Sequence, residues 1–395
     1  SVLTIGDELL EGVILNTNAQ WLGQELWTLG LSISEHVTVP DTVSEIALAI
    51  ERLSLRNDLC IISGGLGPTT DDVTVEGLAL ALEDQIVIDE PQFERLRKVG
   101  LNHARARHQS RRPTRAQAVD NSNGHAPLIQ CHLNACLCAA LPGVPKEFKS
   151  GFSTIVRPRL ENLSTYRSKA LAFINLGESK LMETVQALNL SSLIECRYLA
   201  DPPLTHLRLR TAHDTHLDDT VRRITNELAP HYLPQVDDAL IETLHSKLTD
   251  GQLTIATAES CTSGLIADAL ANRSGSSRFL LGGIVAYSNE VKLNQLKVNP
   301  KTLSQFGAVS EPCAQEMAKN VSRIMGSDIG LSVTGIAGPG GGTEDKPVGT
   351  VCFGWHLDNQ TIVQTVLFRG NRSSIRRASA VWSLHRCLEL IRARR

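Results

Sequence analysis

At 395 residues the chain has room for two or three domains, and its 42% apolar and 21% charged residues supply real cores, which excludes a disordered tail. A formal net charge of −3 excludes a chain that is basic overall and coats nucleic acid, and 4% aromatics are too few for a surface that stacks single strands. Nine cysteines scattered from Cys60 to Cys387 suit reduced thiols in a cytoplasm better than a disulfide framework, and no apolar run reaches the roughly 18–20 residues of a membrane span.

The first residues, Ser1-Val2-Leu3-Thr4-Ile5, read as a strand already under way, without an initiator Met or a basic-then-apolar leader. Up to about residue 150, short apolar runs alternate with amphipathic stretches. Helical spacing covers Val43 to Leu55, Leu59 to Ile62 reads as a buried strand, and helical spacing returns from Val73 to Leu82. Strand, Gly-rich turn and helix in that order are the α/β pattern. The turn is Ser63-Gly64-Gly65-Leu66-Gly67-Pro68-Thr69-Thr70-Asp71-Asp72. Its glycines Gly64, Gly65 and Gly67 let backbone approach a phosphate, with Thr69 beside them and the unpaired N–H groups of a helix start behind. Thr70, Asp71 or Asp72 is expected to cap that helix, and the pair Asp71-Asp72 is also a candidate ligand set for a divalent metal such as Mg²⁺. Asp7-Glu8 brings two more carboxylates to the same sheet edge. Eight Lys or Arg fall between Glu94 and Arg115, as either a solvated surface or a wall facing a phosphate-bearing ligand. Pro142-Gly143-Val144-Pro145 is a rigid loop, and Lys146 after it is a candidate phosphate contact.

From about 165 to 235 the pattern is a small α+β unit, with strands at Ala170–Leu176 and Thr205–Leu209 and a helix over Leu181–Leu188. A helix from Ala239 to Leu248 then leads into a second α/β pattern. Its strands are expected at Leu253–Thr257, Gly283–Ala286, Gly330–Val333 and Val348–Trp355. Three loops here are candidates for a ligand. Glu259-Ser260-Cys261-Thr262-Ser263-Gly264 places small hydroxyls at a helix start, Thr334-Gly335-Ile336-Ala337-Gly338 is glycine-rich, and Gly370-Asn371-Arg372 opens a last helix with Asn371 as its cap. Arg372 and Arg376 share a face of that helix.

No Gly-x-Ser-x-Gly elbow and no zinc spacing is present. Gly275-Ser276-Ser277 does precede Tyr287-Ser288-Asn289-Glu290-Val291-Lys292. A hairpin-like return would join Ser277 to Lys292, and a buried neutral lysine can take a serine proton. Cys261 is the rival nucleophile.

Over nearly its whole length the chain resembles the CinA (competence/damage-inducible protein A) family. Gly6–Leu10, Asn16–Asn18, Gly64–Asp72 and Pro142–Lys149 are similar to the family's first domain. That likeness implies a three-layer MoaB/MogA-like fold over residues 1–163 that hydrolyses ADP-ribose with a divalent metal, or else a module that binds an ADP-ribose-like or pterin nucleotide without turning it over. A Gly-Thr-Ala-Pro-Gly loop usual in the family is not recognised between Val119 and Ala139. A small α+β domain is expected over 164–236. Ala258–Gly264, Gly275–Ser277, Tyr287–Lys292, Gly307–Ser310, Thr334–Gly342 and Lys346–Thr350 resemble the family's nicotinamide-nucleotide amidohydrolase domain, expected over 237–395. The resemblance implies cofactor-free hydrolysis of nicotinamide mononucleotide to nicotinate mononucleotide and ammonia in pyridine nucleotide salvage. It places the nucleophile on Ser277 and its partner on Lys292, with Tyr287 assisting. Ser260, Thr262, Gly264, Thr334, Gly335, Gly338 and Arg372 are the expected substrate contacts. The family further implies a cytoplasmic homodimer that works on small nucleotides rather than on membranes or nucleic acid. Ser263 stands where the family usually has Gly.

Overall fold

The structure is a computed structural model, and it describes residues 1–395 except 162, 164, 165, 191, 213–215 and 395. The chain divides into two compact units, one centred on Ser1–Ser168, the other on Lys169–Leu209 and the chain from Leu217 onward.

The first unit is built on eight strands, β1 (Val2–Ile5), β2 (His36–Val39), β3 (Leu59–Ser63), β4 (Ile86–Ile88), β5 (Arg111–Pro113), β6 (Gln117–Val119), β7 (Leu128–Leu133) and β8 (Cys136–Leu141). Six of them form one sheet in the order β2-β1-β3-β8-β7-β6. β2, β1, β3 and β8 run parallel, and β7 and β6 complete the sheet antiparallel. Alternate residues face opposite sides, so each central strand feeds two cores. Leu3, Cys60, Ile62, Cys138 and Ala140 pack with Ile46, Ile50 and Leu53 of helix Val43–Ser54 and with Leu78 of helix Thr74–Ala81. Val2, Ile61, Ala139 and Leu141 pack on the other side with Leu22, Leu26, Phe148 and Phe152. Helices on both faces of a mostly parallel sheet make the expected three-layer MoaB/MogA-like fold.

Three arginines of the basic stretch 94–115 are spent on the protein itself. Arg111 pairs with Glu76 at 2.6 Å, Arg112 with Asp89 at 2.7 Å, and Arg115 donates to the Leu82 carbonyl.

In the second unit β9 (Arg167–Ile174), β10 (Glu195–Asp201), β11 (Leu204–Thr211) and β12 (Tyr232–Leu233) form a sheet in the order β10-β11-β9-β12. Phe173, Leu207 and Leu209 pack there with Leu181 and Ile224 of its helices. Ile174, Leu204 and Leu233 belong instead to the core of the next sheet, which ties this segment to the rest of the unit. That sheet consists of β13 (Ile255–Glu259), β14 (Leu280–Val285), β15 (Ile329–Gly335), β16 (Thr350–Leu357) and β17 (Gln360–Leu367) in the order β14-β13-β15-β16-β17. β13 runs parallel to both β14 and β15, and β16 and β17 return antiparallel. Helices Asp237–Asp250 and Arg372–Ala393 cover one face, and helix Glu311–Met325 covers the other.

Helix Glu311–Met325 lies unusually close to β15 and β16. A Cβ on Gly330 would run into the Ala318 carbonyl, one on Gly354 into that of Ala314, and Ser332 Oγ donates to the same Ala314 oxygen at 2.6 Å. Gly330→Ala should therefore push the helix off the sheet and destabilise the unit by about 2–3 kcal/mol. The check is the urea midpoint of the variant; an unchanged midpoint would contradict the tight contact.

Candidate functional site

The strand ends of the second unit gather the chemistry. β13, β14 and β15 are parallel, so the loops after all three emerge at one edge, where open α/β sheets bind ligands. After β13 comes Ser260, after β14 come Tyr287 and Lys292, and β15 ends at Gly335 and leads into Ile336 to Gly338. The N-terminus of helix Arg372–Ala393 joins them.

Lys292 is 1% exposed. Its Nζ lies 3.0 Å from Ser260 Oγ and donates to the Ala286 carbonyl at 2.7 Å. Burial depresses its pKa below the usual lysine value, which favours the neutral amine. Ser260 is itself buried. The turn that carries it is held from three directions. Its N–H donates to Val333. The buried Glu259 carboxylate accepts the N–H groups of Gly264, Ile266 and Ala267 at 2.8–3.1 Å. Arg376 donates to the carbonyls of Cys261 and Thr262 at 2.9 Å.

Ser277 is not placed beside Lys292. It is exposed in the short turn Ser276–Arg278 at the start of β14, whereas Lys292 follows the end of that strand. Six residues of extended chain separate the two by about 20 Å. A return to the same edge needs an antiparallel hairpin, and β13 and β14 are parallel. Ser260, read from the sequence as a substrate contact, is the hydroxyl that Lys292 meets. Cys261 is a poor nucleophile, since burial pushes its thiol up to about 12.

The other expected contacts divide by use. Tyr287 is exposed, and its hydroxyl accepts from Arg372 Nη2 at 2.7 Å. Arg372 Nη1 donates to the Gly338 carbonyl at 2.7 Å, so the two residues and the glycine loop form one rim. Thr334 Oγ1 is spent on the Ala308 carbonyl. Gly335 is needed for close approach, because a Cβ there would press on Val351. Thr262 is fully buried with an unpartnered Oγ1. Asn371 caps the last helix, with its side chain accepting from Ser374 N at 2.9 Å.

The first unit holds a cavity of about 770 Å³ at the C-terminal ends of its parallel strands. Gly64, Gly65 and Gly67 line it, and a Cβ on Gly64 would meet the Ile5 carbonyl. Lys146 does not line it, and neither does any other Lys or Arg among the described residues. Its carboxylates are Glu8, Asp41, Asp71, Asp72 and Glu147. Burial, followed by the nearby charges of Asp7, Glu8 and Asp71, raises the Asp41 pKa. Neither Asp71 nor Asp72 caps the following helix, whose cap position is Val73. Asp72 instead accepts from the N–H groups of Gly67 and Thr69 at 2.7 and 2.8 Å and from the Thr69 hydroxyl. That use stitches the loop closed. Among the described residues no group of three or more His, Cys, Asp or Glu side chains converges as a metal site. The opposite wall is Asn123-Gly124-His125-Ala126. With Pro127 it matches three positions of the loop not recognised in the sequence, His125 having replaced its Thr. Arg95 holds it by donating to the carbonyls of Gly124 and His125.

Residues 237–391 match the family described as CinA C-terminal domain, and residues 1–162 match that described as probable molybdopterin binding domain. A CinA-like protein of Kosmotoga olearia is 35% identical over 97% of this chain and 96% of its own. A putative competence-damage inducible protein of Moorella thermoacetica is 38% identical over 98% of this chain and 97% of its own. The solved competence or damage-inducible protein of Enterobacter asburiae is 38% identical over 39% of this chain and 96% of its own, with a TM-score of 0.38.

Ser263 adopts φ of +52°, the left-handed region that costs a side chain free energy. Ser263→Gly should relieve about 0.5–1 kcal/mol and raise the melting temperature. A fall on calorimetric melting would show that the Ser263 hydroxyl, which donates to the Ser260 carbonyl, outweighs the strain.

Proposed function

The chain belongs to the CinA family, and from that premise we propose that its second unit hydrolyses the carboxamide of nicotinamide mononucleotide, with Ser260 as nucleophile and Lys292 as base. One observation carries the reading: a buried lysine amine 3.0 Å from a buried serine hydroxyl, at the strand edge where ligands bind. Neutral Lys292 takes the Ser260 proton, and Oγ attacks the carboxamide carbon. Backbone N–H groups of the Ser260 turn receive the oxyanion. Lys292 returns its proton to the departing nitrogen, and ammonia leaves. Water then attacks the acyl ester, Lys292 now taking the proton of the water and passing it to Ser260 Oγ as the ester C–O bond breaks, and nicotinate mononucleotide is released. Tyr287 orients the ring end, and Arg372 at the rim meets the phosphate. These residues need no cofactor for that sequence.

Ser260→Ala and Lys292→Met should each lower ammonia release by about 10³-fold or more, and the double variant should be little worse, because the pair acts as a unit. Ser277→Ala and Cys261→Ala should keep most of the activity. A dead Ser277→Ala beside an active Ser260→Ala would return the nucleophile to Ser277. Only the neutral amine works, so kcat/KM should rise with pH through one ionisation below the ordinary lysine value of 10.5. A flat profile would remove Lys292 as the base.

For the first unit the cavity favours a binding module. Among the described residues its lining offers carboxylates and no lysine or arginine to meet phosphates, which suits the uncharged ring of a pterin or nucleotide better than a bare polyphosphate. Calorimetry with ADP-ribose and Mg²⁺, with the products analysed for AMP, separates the readings. Heat without AMP supports the module, and AMP release restores the pyrophosphatase.

A further inference from the structure

The cavity of the first unit lacks a counter-charge. Glu8, Asp41, Asp71, Asp72 and Glu147 line it, and among the described residues none of the five forms an ion pair. His125, which is exposed, is the only basic side chain of the lining among those residues. Asp41 registers the imbalance. Burial raises its pKa first, and the charges of Asp7, Glu8 and Asp71 raise it further. A bare polyphosphate would add to this repulsion, and an uncharged ring would leave it as it is.

The carboxylates do not converge as a metal site among the described residues, so a small hard cation is not the matching counter-charge. The lining favours a larger, flatter body. Leu9, Ile14 and Leu15 belong to it, and Ile14 is 52% and Leu15 85% exposed, which is apolar surface standing in water at the cavity. A volume of about 770 Å³ falls within the range of small-molecule sites.

One side chain points to the edge of such a ligand. Gln109, in the helix His103–Gln109, is 8% exposed and lines the cavity. Its amide has no hydrogen-bond partner among the described residues. Asn18 Oδ1, in the same lining, is sealed from solvent, whereas the Gln109 amide is not. It therefore offers the cavity an N–H donor and a carbonyl acceptor together. An aminopurine carries the complementary pair, a ring-nitrogen acceptor beside an exocyclic N–H, and a glutamine amide can engage both at once.

We propose that this cavity takes a planar heteroaromatic cation of the N-alkylated aminopurine nucleoside class. The carboxylates supply its counter-charge, the Gln109 amide pairs with its donor–acceptor edge, and Leu9, Ile14 and Leu15 give the ring apolar contact. The inference rests on the first unit being a binding module, and it adds the charge of the ligand.

Calorimetry on the full chain compares 1-methyladenosine, a cation at neutral pH, with adenosine, which has the same amino edge and ribose and no charge. 1-Methyladenosine should bind at least about tenfold more tightly, and the gap should narrow as salt is raised. Asp41→Asn keeps an oxygen to accept the Asp7 N–H and removes the charge, so it should shrink the preference severalfold. Gln109→Leu should weaken both nucleosides by about tenfold, because it removes the edge contact and no charge. Adenosine binding as tightly as 1-methyladenosine overturns the cation and leaves the binding module standing. Heat from neither nucleoside overturns the proposal, and ADP-ribose then decides separately whether the module survives. Binding that is unchanged in both variants also overturns it, since the ligand then sits elsewhere. The nucleoside comparison is made on the unaltered chain, so it decides the matter even if a variant folds poorly.

Discussion

The second unit is organised around keeping one lysine amine out of water. A buried ammonium is costly, and the chain resolves this by giving Lys292 only Ser260 Oγ and the Ala286 carbonyl as partners, an environment that favours the neutral amine. That solution demands that the turn after β13 and the end of β14 stay in fixed relation. The register Glu259↔Val285 sets the relation, and the bond from Ala286 N to Glu259 O at 2.7 Å extends it one residue beyond the strands. Glu259 then serves twice, as a strand residue and as the buried carboxylate that gathers three N–H groups of the following helix start.

The last helix of the chain works at both ends of this design. Near its start Arg376 clamps the carbonyls of the Ser260 turn, and Arg372 links Tyr287 to the Gly338 loop. Deeper in, the helix packs on the sheet, where Trp355 Nε1 donates to the Ser383 carbonyl at 2.9 Å. The residues that approach the Ser260–Lys292 pair are thus mounted on a helix held by the core. The two units contrast in charge. The candidate catalytic edge carries arginines, while the cavity of the first unit carries carboxylates and, among the described residues, no lysine or arginine.

Local elements were legible where periodicity was strong. Leu59–Ile62 lies within β3, Val43–Leu55 closely matches its helix, and Asn371 is the cap that its position predicted. Boundaries drifted where tertiary pairing extended an element, as at β14, which starts at Leu280 rather than Gly283 because β13 pairs with it from Ile255. Asp72 looked like a helix cap because the residue type suits one, yet its carboxylate reaches back to Gly67 and Thr69, a choice made by the loop's own fold.

By itself the sequence determined the α/β character, the family, and the motifs that hold the chemistry, because apolar periodicity, glycine placement and contiguous motif residues are local properties of the chain. It singled out Lys292 and placed Ser260 among the loops expected to meet a ligand. Only the tertiary structure decided which serine the lysine meets. Ser277 and Ser260 are fifteen and thirty-two residues from Lys292 in the chain, so distance along the sequence favours Ser277. The parallel pairing of β13 with β14 reverses that order. It sends both C-terminal ends to one edge of the sheet and leaves the N-terminal turn with Ser277 at the other.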